Sequence, residues 1–275
     1  MSRAHAIKAM RTTLALLIAI PFLAPFAFLL NAGLRTEHDY LASPFGLPDH
    51  LTLDNLTAAW SDAQLGPALV ASLITSGIAV LVAASCATSA GFWFFTHRGR
   101  GATMTRWTLT AGYVFPAIIW LVPLFVLLAR NGFTNNLVVL GIIYGVSNVP
   151  FGLYFISAFY GQTLAGEVLE AAALDGAGRL RQFRLIALPL ARPAMAALSA
   201  LVFVWSFGDL LFAVTLLQDP DKWTVTIAAA TLSTQDGISV QAQAAGAMIA
   251  MVPSLLVVLF AQRALVRGFG GGASR

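Results

Sequence analysis

A chain of 275 residues that is 58% hydrophobic and only 10% charged cannot hide its apolar surface in one water-soluble core, since globular domains carry about 25% charged residues. The formal net charge of +4 follows from basic loops spaced along the chain, not from a patch for nucleic acid, and the single cysteine, Cys86, excludes an intrachain disulfide. The expected solvent is lipid, whose hydrocarbon layer of about 30 Å asks for roughly 20 apolar residues per helix.

Six such stretches occur, at about 13–34, 67–95, 107–129, 137–160, 194–217 and 242–261. They are continuous apolar runs, unlike the short alternating segments of membrane barrels. The predicted fold is therefore all-α, a polytopic membrane protein with six transmembrane helices in one membrane domain over 1–275. The basic start is too closely followed by a long apolar run to be a cleaved signal, whose core is about 7–15 residues, so the first span is expected to stay as an anchor. Positive loops remain cytoplasmic. Arg3, Lys8 and Arg11 precede the first span, and Arg98, Arg100 and Arg106 follow the second. Arg179, Arg181, Arg184 and Arg192 follow the fourth, and Arg263, Arg267 and Arg275 follow the sixth. Both termini are thus expected inside, with Arg35, Arg130 and Lys222 outside.

In chain order, the outward segment from Arg35 to Gly66 is rich in acids and turn formers (Glu37, Asp39, Pro44, Pro48, Asp49, Asp54), which suits a solvated cap. Its Asn55-Leu56-Thr57 matches a glycosylation acceptor, read as a chance match. Cys86, in the second span, is expected to pack as a small apolar residue. Pro116 and Pro123 in the third span, Pro150 in the fourth and Pro253 in the sixth fit ordinary kinks and a moving pathway equally well. In the second outward segment, Gln218 to Val240, Trp223 is placed to anchor at the interface. Ala242, Ala244, Ala245, Gly246 and Ala247 permit close helix approach, either internally or against a second membrane subunit. No internal repeat of the kind that builds two-halved secondary transporters is evident. The terminal glycines (Gly268, Gly270, Gly271, Gly272) lack the preceding strand and following Lys-Ser or Lys-Thr of a phosphate loop, so no ATP site is expected in this chain.

Between the fourth and fifth spans, residues 161–193 are long enough to fold as more than a connection. Helix formers run from Leu164 to Leu174, Gly176 and Gly178 interrupt them, and a second run from Arg179 to Leu188 puts Leu180, Phe183 and Ala187 on one face before Pro189 ends it. Two short helices hinged at glycine are expected along the inner membrane face. Ala171, Ala172 and Ala173 would let a partner approach, Glu167, Glu170 and Asp175 would accept from its Arg or Lys, and Leu164, Val168 and Leu169 would supply apolar contact, as in helix-in-groove recognition.

Glu170-Ala171-Ala172, three residues, Gly176, nine residues, then Ile186-Ala187-Leu188-Pro189 resembles the EAA loop of binding-protein-dependent ABC importer permeases at every defining position. The chain as a whole, with its outward LTLDNLTAAW segment, the Pro116, Pro123, Leu124 and Gly132 pattern and the closing QRALVRGF, is similar to the carbohydrate-uptake (MalG-like) family. It departs from that family at Ala71-Ser72, where Asn-Ser is common, and at Phe207-Gly208-Asp209, where Trp-Asn-Asp or Trp-Asn-Glu is. The resemblance implies the type I importer permease fold and alternating access. It assigns ATPase coupling to Glu170, Ala171, Ala172, Asp175, Gly176, Ile186, Leu188 and Pro189. It also implies a second permease subunit in a heterodimer, two ATP-binding cassette subunits that hold ATP and Mg, an extracytoplasmic solute-binding protein, and an inner-membrane location in a bacterium or archaeon. No cofactor is expected in this chain.

Asp209 is the one formal charge within a predicted span, and such residues are functional hypotheses by default. It can bond a sugar hydroxyl or hold an interhelical contact; near the middle of its span, it has Trp205 and Phe212 at helical spacing. Tyr113, Tyr144, Asn148, Trp205, Asp209 and Phe212 are the candidate lining of a sugar path. An ion-coupled transporter or channel of six spans is the alternative, disfavoured by the scarcity of membrane charges. A membrane enzyme would need clustered ligands, but His5, His38, His50 and His97 are scattered, so neither a metal site nor a triad is assembled.

Overall fold

A computed structural model describes residues 3–97, 99–232 and 239–270. Arg98, residues 233–238 of the second outward segment, and the end of the tail with Gly271, Gly272 and Arg275 lie outside them. The described residues form helices and turns with no strand. Five helices are long and apolar enough to cross a membrane, or six if one bent pair counts as a single span.

By contacts the chain divides into two compact units, residues 1–66 with 228–252, and residues 67–227 with 253–275. The first begins with α1 (Arg3–Gly33), which is exposed along most of its apolar length and is buried only at its end, at Ala32 and Gly33, as expected of a helix solvated by lipid. Beyond it α2 (Glu37–Ala42) and α3 (Asp54–Asp62) form a cap around one buried cation. Arg35 is 0% exposed. Its guanidinium donates to Asp39 Oδ1 at 2.7 Å and Oδ2 at 2.9 Å, to the Asp39 carbonyl at 2.8 Å, and to the Ser43 and Gly46 carbonyls at 2.9 Å. A buried charge persists only when paired and hydrogen-bonded, and this one is both. Asn55, first residue of the glycosylation-like triplet, donates instead to the carbonyls of Gly33 at 3.0 Å and Arg35 at 2.7 Å. The small residues near the start of α13 (Val240–Gly270) pack internally: Ala244 and Ala245 are buried, and a side chain added at Gly33 would meet the Ala245 backbone at 3.2 Å.

The second unit carries α4 (Leu65–Thr96, from Pro67 on), α5 (Arg100–Ala111), α6 (Leu121–Arg130) and α7 (Leu137–Thr163). It continues through α8 (Gly166–Leu174), α9 (Arg179–Gln182), α10 (Leu188–Phe207) and α11 (Leu211–Leu216) to the first residues of α12 (Val225–Ala230). Asn136 starts α7 by accepting from the N–H groups of Val138 at 2.9 Å and Val139 at 3.1 Å, the role for which Asn is favoured at a helix start. Gly141 and Gly145, four apart on α7, let α4 approach so closely that a Cβ there would lie 2.8 Å from the Thr75 carbonyl and 2.6 Å from Val82. Lipid supplies no hydrophobic drive for helices to associate, so such close backbone packing does. Ser72 on α4 accepts from the Val225 N–H at 2.9 Å. Cys86, expected to pack, is exposed on α4, because its neighbours Ala83 and Ala87 take the inward positions.

Three expectations change. The third span is broken: Arg100–Val114 and Ala117–Arg130 meet at 87°. Pro116 lacks an N–H and pushes the residue before it out of the helical region; Phe115 accordingly has ψ 121°. The fifth helix is displaced toward the N-terminus. It runs unbroken from Arg179 to Phe207, and the predicted stretch 194–217 straddles its end at Gly208. Pro189 consequently does not end the loop helix. A π-helical turn at Phe183–Ala187, in which the Leu188 N–H bonds the Phe183 carbonyl, widens the backbone just ahead of the proline and lets α10 start there. Trp223 is half-buried and packs against the unit's core.

Candidate functional site

Two regions hold the residues singled out by sequence. In the first, α8 displays Glu167, Glu170, Ala171, Ala173 and Leu174 on an exposed surface, Leu174 being 91% exposed. Asp175 and Gly176 follow, also exposed. Among the described residues none of the three acids forms an ion pair. Gly176 has φ +79°, donates to the Ala173 carbonyl at 3.0 Å, and is followed by an Ala177 N–H bonded to the Ala172 carbonyl at 2.8 Å. This pair of bonds closes the helix with a left-handed residue, a place glycine takes at no steric cost.

Leu164 and Leu169, expected on the partner face, are buried in the unit's own core, where they seat α8, leaving Val168 exposed. Leu180, expected on the inner face with Phe183 and Ala187, points outward, since the π turn alters the helical register after it. Ile186, Leu188 and Pro189 are half-buried on the π turn and the start of α10. Gln182, which the sequence reading missed, is 2% exposed. Its amide donates to the Ala177 carbonyl at 2.9 Å and the Leu169 carbonyl at 3.2 Å, and its oxygen accepts from Arg179 at 3.2 Å. This one side chain ties the end of α8 to α9.

In the second region, Tyr113, Tyr144, Asn148, Trp205, Asp209 and Phe212 all line one cavity of about 450 Å³. The break of the third span forms one wall through Pro116 and Ala117. Asp209 lies in the turn between α10 and α11 rather than mid-helix: its Oδ1 accepts from the Tyr144 hydroxyl at 2.7 Å and from the Phe212 N–H at 2.9 Å. Its backbone carbonyl accepts from Thr226 at 2.9 Å. Trp205 and Phe212 do lie beside it in the same cavity, while Tyr144, 65 residues away, supplies the partner that sequence alone left unnamed. No donor among the described residues reaches Oδ2. Asn148 spends its amide N–H on the Tyr144 carbonyl at 2.8 Å, which leaves its side-chain oxygen open to the cavity.

Aromatic faces complete the lining. Trp205 meets Phe151 edge-on at 5.0 Å, Tyr113 lies 5.4 Å from Phe151, and Phe212 lies between Trp120 and Tyr144 at 5.4 and 6.3 Å. Ser206 also lines the cavity; it is 4% exposed and its hydroxyl has no partner. Sequence gave no signal for it, since a lone serine beside Trp205 reads as a helix-packing residue. The assembled surface offers stacking faces, a serine hydroxyl and acceptors with unfilled valence, and Asp209 is the only formally charged residue on it.

A family model described as "Binding-protein-dependent transport system inner membrane component" matches residues 79–271. The diacetylchitobiose uptake system permease protein NgcG of Streptomyces coelicolor is 31% identical over 264 residues, covering 95% of this chain and 87% of that protein. The melibiose/raffinose/stachyose import permease protein MelC of Bacillus subtilis is 28% identical over 273 residues, covering 98% and 99%. Among solved structures, a chain of a bacterial ABC transporter involved in the import of the acidic polysaccharide alginate superimposes with a TM-score of 0.76 at 18% identity, covering 96% of this chain and 98% of that one.

Proposed function

The chain belongs to the binding-protein-dependent transport system inner membrane components, and from that membership we propose that it carries a mono- or oligosaccharide inward across the cytoplasmic membrane by alternating access. The observation that carries this reading is the convergence of Tyr113, Tyr144, Asn148, Trp205, Asp209 and Phe212 on one cavity, with aromatic faces for sugar rings and open acceptors for their hydroxyls. Relatives named for diacetylchitobiose and for melibiose, raffinose and stachyose uptake support the same solute class. Ion coupling finds little to work with, because a lone Asp209 among the cavity residues makes no relay.

In this reading the whole chain acts as one permease domain with both termini cytoplasmic. It pairs with a second, different permease subunit, receives solute from an extracytoplasmic binding protein, and couples to two ATP-binding cassette subunits, which hold the ATP and Mg. Glu170, Ala171, Ala172, Asp175 and Gly176 form the surface that meets the ATPase, with Ile186, Leu188 and Pro189 joining it to the membrane helix. Two-state gating from 1:99 to 99:1 takes a differential of about 5.5 kcal/mol, which a slack contact cannot transmit; the Gln182 clamp keeps this one stiff.

The test is ATP-dependent uptake of a panel of sugars by the complex co-purified from native membrane and reconstituted with its binding protein. Accumulation of at least one sugar that stops without ATP is expected. Uptake that persists after ATP depletion would refute the coupling, and failure on every sugar beside success on another solute class would refute the substrate.

A further inference from the structure

Two cavities lie side by side where the end of α4, the start of α5 and the end of α7 meet. The larger, about 330 Å³, is lined by Thr103, Arg106 and Ser157 among others. The smaller, about 190 Å³, is lined by Trp107, Thr110 and Tyr154 and shares Arg106 and Ser157 with the first. Shared walls make the two one bipartite pocket, with a cation and hydroxyls on one side and aromatic faces on the other.

Arg106 has no ion-pair partner among the described residues, and no acid lines either compartment. The Ser157 hydroxyl is buried with no hydrogen-bond partner. The first turn of the 12-residue α5 faces the same space through Ala102 and Thr103, and no side chain caps that end, so the helix adds partial positive charge. Trp107 and Tyr154, both largely exposed, are residue types that favour the headgroup level of a bilayer.

We propose that this pocket holds one anionic phospholipid of the inner leaflet. Its phosphate sits on Arg106, with the Thr103 and Ser157 hydroxyls donating, and the first part of an acyl chain lies against Trp107 and Tyr154. Basic pockets between membrane helices on the cytoplasmic side recognise such headgroups, and the apolar compartment selects a lipid over a soluble phosphate. The assignment rests on the inward placement of the α4–α5 turn proposed above and is independent of the solute carried.

The experiment is native mass spectrometry of the assembled importer released from nanodiscs that mix phosphatidylglycerol with phosphatidylcholine. The expected result is retained phosphatidylglycerol that Arg106→Gln lowers about tenfold, the loss of one charge-assisted hydrogen bond, while Arg100→Gln, on the same helix but exposed and screened, changes it less than about threefold. Equal losses from both variants would mean diffuse surface attraction and overturn the site. Displacement of the lipid by millimolar inorganic phosphate would overturn the lipid in favour of a soluble ligand. If Arg106→Gln does not assemble, Thr103→Val with Ser157→Ala makes the same comparison, and undiminished retention there overturns the proposal. A topology reporter in the α4–α5 turn that reads outside would remove the orientation, whereas sugar uptake is scored separately.

Discussion

Gly176, in the proposed coupling surface, holds a backbone conformation that favours glycine. At φ +79° nothing crowds a Cβ placed there, so the cost of a side chain is backbone strain, about 1–2 kcal/mol for a left-handed non-glycine residue. Gly176→Asp is expected to cut ATP-coupled uptake strongly while the complex still inserts and assembles, and Glu170→Lys to do the same by inverting charge on the exposed face. Normal uptake by either assembled variant would dismiss the coupling surface. At the cavity, Tyr144→Phe removes the hydroxyl that orients Asp209 and is expected to cost about 0.5–1.5 kcal/mol of stability, as membrane side-chain hydrogen bonds do. Uptake rate should fall severalfold with binding-protein affinity unchanged; an unaltered rate would give the pair a structural role alone. Of the six cavity residues, Asn148 and Asp209 stand out because amide and carboxylate side chains are scarce inside the apolar runs, whereas the four aromatic ones are a few among many there. Ser206 and Gln182 were not legible, since small or ordinary polar residues acquire their meaning only from which carbonyls and cavities they face.

At the scale of elements, the sequence made helices easy to find and their ends hard. Apolar length marks a span, but α10 and the loop helix α9 that leads into it are continuous in three dimensions only because a π turn absorbs Pro189, and backbone widening leaves no trace in hydropathy. The same blindness hid the 87° break at Pro116, which a window average passes over. Gln182→Ala tests whether the α8–α9 corner is held as described: it would leave the Leu169 and Ala177 carbonyls without that donor, at about 1–3 kcal/mol per buried group left unpaired. Faster amide exchange over Gly166–Leu174, with α10 unchanged, is the expected signature; unchanged exchange throughout would mean that the buried leucines alone seat α8. In the cap formed by α2 and α3, the Arg35 guanidinium holds the Asp39 carboxyl below its ordinary value chiefly by hydrogen bonding. A depressed carboxyl stabilises the fold above its unfolded value of about 4, and that contribution is lost as pH falls through the lower folded value. Exchange over residues 35–52 should therefore rise only at strongly acid pH, and Asp39→Asn should raise it already at neutral pH.

For the whole molecule, the large apolar side chains left bare on α1, α4 and α13 make sense only with lipid around them, and Cys86 reports on it. Facing outward from the second span, it should resist a membrane-impermeant maleimide in intact vesicles and react with a permeant one after solubilisation. Ready labelling by the impermeant reagent would place that helix face against water. The all-α class and the family were readable from composition, run length and one spaced motif, whereas the six predicted spans correspond to five long apolar helices and one bent pair among the described residues.

The stretch from Arg179 to Phe207 counts 29 residues, roughly 43 Å of helix at 1.5 Å per residue. One end of this rod is pinned by Gln182 beside the exposed loop, and the other stops one residue short of the turn that presents Asp209. Its soft points are the π turn near the foot and Pro193 inside α10. If the loop meets an ATPase as proposed, the rod would act as a crank: a tilt of a few degrees at the loop end would reappear as a sideways shift of the cavity wall at Trp205 and Ser206, with no relay of side chains between them.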